Sequence, residues 1–212
     1  GRALGLDRAP EVKTIRRKLL RLASLGRGSR FGLALAARRV AARGAVMGFL
    51  YVDGHVRVYH GKRPLPKAHA ARMRLSMPAT TDYWVNDAKG DPLFVVTAEA
   101  NAGLLAMLPS ILSDIRKTLG GKRVTVAFDR AGWSPKTFQT VLDAGFDILT
   151  YRKGDYPTIA LRHFTRQAAV LDGRKVAYDL ADQNIRLKGC RTLLRQVTRL
   201  SDDRTHQTPI VT

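Results

Sequence analysis

Apolar positions along the chain follow two periods, and the changes from one to the other locate its elements. Val12, Ile15, Leu19 and Leu22 fall at helical spacing with Lys13, Arg16, Arg17 and Lys18 between them, which predicts a basic amphipathic helix over residues 11–24. Gly26–Ser29 breaks it, and the Ala- and Arg-rich stretch from Phe31 to Ala42 predicts a second helix that Gly44 ends. From Val46 the period changes. Phe49–Val52 is a compact apolar run, Asp53-Gly54 is a two-residue turn signal, and Val56 and Val58 alternate with Arg57 and Tyr59, so a β-hairpin is predicted here. Residues 61–77, with Pro64 and Pro66, read as an irregular basic connection, after which Pro92 precedes a third strand over Leu93–Ala98.

The second half is more regular. Leu104, Leu108, Ile111, Ile115 and Leu119 keep the rhythm of a helix buried on one face, stopped by Gly120-Gly121. Val124–Phe128 predicts a buried strand. Ser134-Pro135 then supplies an N-cap and a proline at the first helical position, Phe138, Val141 and Leu142 form an apolar face, and Gly145 closes the helix before a strand over Phe146–Tyr151. A strand, a short crossover helix and a strand make a βαβ unit with parallel strands. The fold class is therefore α/β: three antiparallel strands, then the parallel unit. After Gly154 come short alternating runs at Ile159–Phe164, Ala168–Leu171 and Lys175–Tyr178, with a turn at Asp172-Gly173, which predict a β-rich insertion. Two last strands are expected over Leu194–Leu200 and Gln207–Thr212. The segments are a basic helical part at 1–44, a core at 45–154, the insertion at 155–200 and a return strand at 201–212.

Composition turns this outline toward a polyanionic partner. Thirty-seven Lys and Arg stand against seventeen Asp and Glu, a formal charge of +20, and a field of that size suits nucleic acid. The charge is uneven: residues 1–44 hold twelve bases against Asp7 and Glu11, and residues 54–81 hold six bases and no acid. Residues 82–150 are nearly balanced, with seven bases and eight acids. No apolar run approaches the roughly 18 residues of a membrane span, and no signal segment opens the chain, so a cytoplasmic, nucleoid-associated location is expected. Cys190 is the only cysteine, which excludes an internal disulfide and a cysteine-based zinc site and leaves a small apolar role for it. His55, His60, His163 and His206 lack zinc spacing, and no complete phosphate-loop pattern is present, which argues against an NTP-driven motor.

Two acids follow apolar strand runs directly: Asp53 after Phe49–Val52 and Asp129 after Val124–Phe128. On neighbouring first and fourth strands their carboxylates would lie close, and two such groups repel unless a cation sits between them, which suits Mg²⁺ or Mn²⁺. A pair of ions about 3.5–4 Å apart supports in-line attack on phosphorus. Each acid also has a plainer role, Asp53 as the first residue of an Asp-Gly turn and Asp129 as the start of a loop.

The stretches Tyr51-Val-Asp-Gly-His-Val-Arg-Val-Tyr-His-Gly61, Phe128-Asp-Arg-Ala-Gly-Trp-Ser-Pro135 and Phe146-Asp-Ile-Leu-Thr-Tyr-Arg-Lys-Gly154 resemble segments of insertion-sequence transposases with a DDE catalytic core. The resemblance runs over roughly residues 5–212. It implies an RNase H-like mixed sheet, metal-dependent DNA cleavage and strand transfer, and two Mg²⁺ ions in the intact enzyme. It places Asp53 and Asp129 as the first and second catalytic aspartates. The family's third acid is a glutamate on a helix after the last strand; here Glu11 and Glu99 are the only glutamates, so that residue is expected beyond Thr212, and this chain without it is expected to be inactive. Partners implied are the element's terminal repeats, target DNA and a second copy in a synaptic complex. Arg130, Trp133, Arg152 and Lys153, together with Lys62 and Arg63, are the candidate DNA contacts, with core packing an equal reading for Trp133. Two other functions fit the residues: a basic DNA-binding or scaffolding domain whose aspartates serve turns, and a structure-selective nuclease on the same fold.

Overall fold

The computed structural model describes residues 8–43, 48–71 and 73–212. Two helices come first, α1 (Val12–Ser24) and α2 (Gly28–Arg43), followed by strands β1 (Phe49–Val58), β2 (Lys67–Ala70), β3 (Leu75–Asp87) and β4 (Pro92–Glu99). Helix α3 (Leu104–Leu119), strand β5 (Val124–Phe128), helix α4 (Pro135–Asp143) and strand β6 (Phe146–Tyr151) come next, then β7 (Thr165–Leu171), β8 (Arg174–Ile185), β9 (Leu194–Leu200) and β10 (Gln207–Val211). The expected helix stop at Gly44, the change of period at Val46, and Asp7 and Arg72 lie outside the described residues.

The strands join in one mixed sheet in the order β2-β3-β1-β5-β6-β10-β9-β8-β7, with β4 also on β3. Strands β1, β5 and β6 are parallel; β3 runs antiparallel to both β1 and β4, and from β6 onward every neighbour is antiparallel. Alternation decides what lies beneath. Leu50 and Val52 on β1, Val85 on β3, Val124 and Val126 on β5 and Phe146 and Ile148 on β6 are buried together with Leu108, Ile111 and Ile115 of α3 and Phe138 and Val141 of α4. Ser134 caps α4 by accepting from the Thr137 amide at 3.3 Å, with Pro135 first in the helix. Arg116 ties the layers at one end: its guanidinium donates to the carbonyls of Gly120, Lys122 and Ala144 and lies 4.2 Å from the Phe146 ring centroid.

Three expectations need correction. The Asp53-Gly54 pair makes no hairpin: β1 runs straight through it, pairing from Leu50↔Asp87 to Val58↔Ala79. The apolar positions 50, 52, 56 and 58 keep one period across the dipeptide, and nine ladder pairs outweigh a local turn preference. Gly54 serves close approach instead, since a Cβ there would lie 2.8 Å from Cε1 of Tyr83, its cross-strand partner. Second, residues 61–77 are not all irregular connection: β2 and the start of β3 lie there. Pro78 and the buried polar residues Thr81, Asp82 and Asp87 hide the long strand β3 from a periodicity argument. Third, Ile159–Phe164 is no strand, and Leu161–His163 forms a 3-10 turn. The side-chain amide of Gln207 takes both backbone groups of Ile159, at 2.9 and 2.7 Å, in place of a ladder.

The Tyr83 ring is buried and its hydroxyl donates to the Ala102 carbonyl, so it has little freedom to move aside. Gly54→Ala is expected to cost about 1–3 kcal/mol, the usual range for forcing atoms into a filled core. Gly121→Ala, where a Cβ meets open space, serves as the neutral control; equal melting temperatures for the two variants would contradict this packing.

Candidate functional site

The parallel register of β1 on β5 runs Phe49↔Thr125, Leu50↔Val126, Tyr51↔Ala127 and Val52↔Phe128. Asp53 and Asp129 are the next residues on the two strands. Val52 and Phe128 are buried, and by alternation the following side chains leave the core: both aspartates are exposed. Their surroundings differ. Asp53 stays within the strand, opposite Trp84 of β3. Asp129 begins a 3-10 turn (Arg130–Gly132), with Oδ1 accepting from the Ala131 amide at 2.9 Å and its carbonyl accepting from Thr150 Oγ1 at 3.3 Å. That turn lies tight on the sheet, since a Cβ on Gly132 would lie 2.4 Å from Cδ2 of Phe128.

The charge of Asp129 reaches the core. Burial, and then the negative charge of Asp129, raise the Tyr83 phenol above its ordinary range. Tyr83 itself lies on the buried face, packed against Gly54 across the strands, while Asp53 is opposite Trp84.

The candidate contact residues spread around this point. Arg130 lies over Tyr151, its guanidinium carbon 5.7 Å from the ring centroid. Trp133 is half-buried, edge-on to Phe138 at 5.0 Å. Arg152 donates to Gln196 Oε1 at 2.5 Å and lies 5.5 Å from the Tyr156 ring centroid, while Lys153 is exposed. Lys62 and Arg63 are exposed in the connection between β1 and β2.

One acid escaped the sequence reading. Asp82 lies opposite His55, so it shares the face of Asp53, yet it is only 2% exposed. Its Oδ2 lies 3.0 Å from Arg57 Nε, and its Oδ1 has no hydrogen-bond partner among the described residues. The missing signal was the strand itself. Asp87, fully buried, caps the β3–β4 turn by accepting from the amides of Lys89 and Asp91. Arg43 bonds Asp87 and Asp91, and Arg39 reaches Asp91 at 3.3 Å, which lowers the Asp91 carboxyl below its usual range. Two of the N-terminal bases are thereby committed to structure.

For a metal, Asp53 and Asp129 supply exposed carboxylate oxygens on adjacent strands, the donor type a hard divalent ion prefers. No group of three or more His, Cys, Asp or Glu side chains able to hold a metal occurs among the described residues. Asp203 is occupied by the β9–β10 turn: it accepts from Thr205 Oγ1 at 2.7 Å, from the Thr205 amide at 3.2 Å, and from Ser201 Oγ.

These bonds, Ser201 first, lower the Asp203 carboxyl to about 2. A depressed folded-state value means a stabilising contribution that is complete above the ordinary aspartate range, about 4, and is lost as pH falls toward 2. A carboxyl-carbon NMR titration should find this midpoint, and Asp203→Asn should flatten the stability curve across that window. A midpoint near 4 would contradict the turn geometry.

A family model described as "Transposase protein" matches residues 1–212, the whole chain. No curated protein matches. Among solved structures, the chain is similar to a piggyBac transposase synaptic complex with hairpin DNA, at 10% identity and a TM-score of 0.47, over 77% of this chain and 32% of that one. It is also similar to the Mos1 strand transfer complex, at 12% identity and a TM-score of 0.34, over 55% of this chain and 38% of that one. The chain spans about a third of the length of these structures. No helix among the described residues is long and apolar enough to cross a membrane. With the family model covering every residue, the chain belongs to the transposase family it describes.

Proposed function

We propose that this chain carries two of the three acids of a DDE transposase centre on an RNase H-like sheet, with Asp53 and Asp129 as ligands of Mg²⁺ or Mn²⁺. The observation that carries the reading is their register: each follows the last paired residue, Val52 or Phe128, of two adjacent parallel strands, and each is exposed. Two carboxylates so placed repel, and a divalent cation between them offsets the repulsion. Bound there, the ions would activate a water or a DNA 3′-hydroxyl and stabilise the leaving oxygen.

The chain's own groups have separable roles. The Ala131 amide fixes the Asp129 carboxylate through Oδ1, leaving Oδ2 for a ligand. Tyr83 packs on Gly54 between β1 and β3, and the ladder on either side fixes the backbone of Asp53. Arg130, Arg152 and Lys153 follow the ends of β5 and β6 and would hold phosphates on the strand being cut, with Lys62 and Arg63 as more distant backbone contacts. The third ligand is proposed to be a glutamate outside this sequence, and terminal repeats, target DNA and a synaptic second copy are the proposed partners.

A second reading, a basic scaffolding domain that binds DNA without metal, is favoured by the lack of a three-ligand cluster among the described residues. It predicts salt-sensitive binding indifferent to Mg²⁺. A nuclease differs from both in cutting DNA without joining the ends.

In a protein that includes the third acid, Asp53→Ala and Asp129→Ala should each lower Mg²⁺-dependent cleavage of element-end DNA by about a hundred- to a thousandfold, the scale of removing a group that stabilises transition-state charge. Binding should change little. Cleavage that survives either substitution removes the assignment.

A further inference from the structure

Strands β7 and β8 are joined by Asp172 and Gly173, both at positive φ (49° and 76°), the pair a tight hairpin turn requires. They pair from Thr165↔Leu180 to Leu171↔Arg174. Strand β9 supports β8 only from Asp179 to Ile185. Gln167–Leu171 and Arg174–Tyr178 therefore form a two-stranded ribbon that runs past the third strand, and all seven residues of β7 are exposed. Nothing in the core explains its side chains. Arg174 and Lys175 stand at its tip beside Val170 and Leu171, which are 65% and 53% exposed. Its middle is slim, with Ala168 paired to Ala177 and Ala169 to Val176. Arg199 braces its base, 4.5 Å from the Tyr178 ring centroid.

We infer that this ribbon is an arm that enters the major groove of duplex DNA, an inference that rests on the reading that the chain acts on DNA. Two strands lie about 4.8 Å apart and, with alanines at the waist, fit a groove about 12 Å wide. The ribbon rises about 13 Å from Gln167 to Leu171, more than the groove's depth of roughly 8.5 Å. Charge selects the occupant. Residues 161–200 hold nine Lys or Arg against Asp172, Asp179 and Asp182, and Asp179 and Asp182 are already paired with Arg166 and Arg195. A second copy would bring a like-charged ribbon to the same edge, whereas a polyanion gains from it. Arg174 and Lys175 would meet phosphates or base edges, Gln167 a base edge, and Val170 and Leu171 thymine methyl groups.

The test is binding of the full chain to a random-sequence duplex of about three helical turns, with two blocked versions: one whose major groove is filled by glucosylated hydroxymethylcytosine, and one carrying a minor-groove ligand. The inference expects glucosylation to weaken binding roughly tenfold or more and the minor-groove ligand to change it little. Arg174→Ala/Lys175→Ala should lose that discrimination and reduce the slope of log affinity against log salt by about 2, near 0.9 per phosphate contact. Unchanged affinity, slope and discrimination in the variant would overturn the arm, as would concentration-dependent self-association of the wild type that the variant abolishes, which would make the ribbon an interface between copies. Asp53→Asn/Asp129→Asn keeps the ribbon, so failure of the metal reading leaves this measurement intact; a wild type that ignores duplex DNA sinks both.

Discussion

Parallel pairing of β1 with β5 is the constraint on which the site depends. Hydrogen bonding fixes Val52 beside Phe128, and burial of both on the α3–α4 side sends the next two side chains to solvent. Once that register is set, two carboxylates emerge on neighbouring strands whether or not they are comfortable together. A one-residue slip would turn Asp53 into the core and Val52 out of it, so the hydrophobic pattern of β1 also protects the placement of the acid. Tyr83 packed on Gly54 makes the same demand from the other side, because only glycine leaves room for the ring. Core packing on both strands thus sets where the two acids stand, independently of any ligand between them.

Much of this was legible from residue order. The apolar rhythm of α3, the Ser-Pro start of α4 and the βαβ unit need only local information, and the structure carries them where periodicity expects. The two Asp-Gly pairs show where such information ends. At Asp172-Gly173 all of β7 and the first two residues of β8 are exposed and the two strands pair with each other, so local turn chemistry decides. At Asp53-Gly54 the same dipeptide lies between residues of one buried stripe, and β3 supplies a better partner than the strand's own continuation. Asp82 was invisible for a related reason: a carboxylate buried on a strand that begins with proline-flanked polar residues gives no periodic signal, and its burial depends on Arg57 and on strands on both sides. Adjacency of Asp53 and Asp129 came from strand order and from family resemblance together, since neither acid is distinctive alone.

Charge divides the molecule by use. Arg39 and Arg43 anchor α2 to the β3–β4 turn, Arg116 closes the α3–α4 end, and Arg123 is bound at 2.7 Å to Asp147. These arginines hold the scaffold. The excess that remains lies in α1, in residues 54–81 and along β7–β9, in the sequence on either side of the nearly balanced stretch 82–150. On the proposed reading, these basic stretches would gather the phosphate backbone of DNA, with affinity that falls steeply as salt rises.

Whether Asp53 and Asp129 share a metal is decided by a Mn²⁺ titration followed through backbone amide signals, comparing this chain with an Asp53→Asn/Asp129→Asn variant. A shared site gives selective paramagnetic broadening of the amides around both Asp53 and Asp129 at low Mn²⁺, absent in the variant. Broadening at only one of the two acids, or the same pattern in wild type and variant, would contradict a shared metal site.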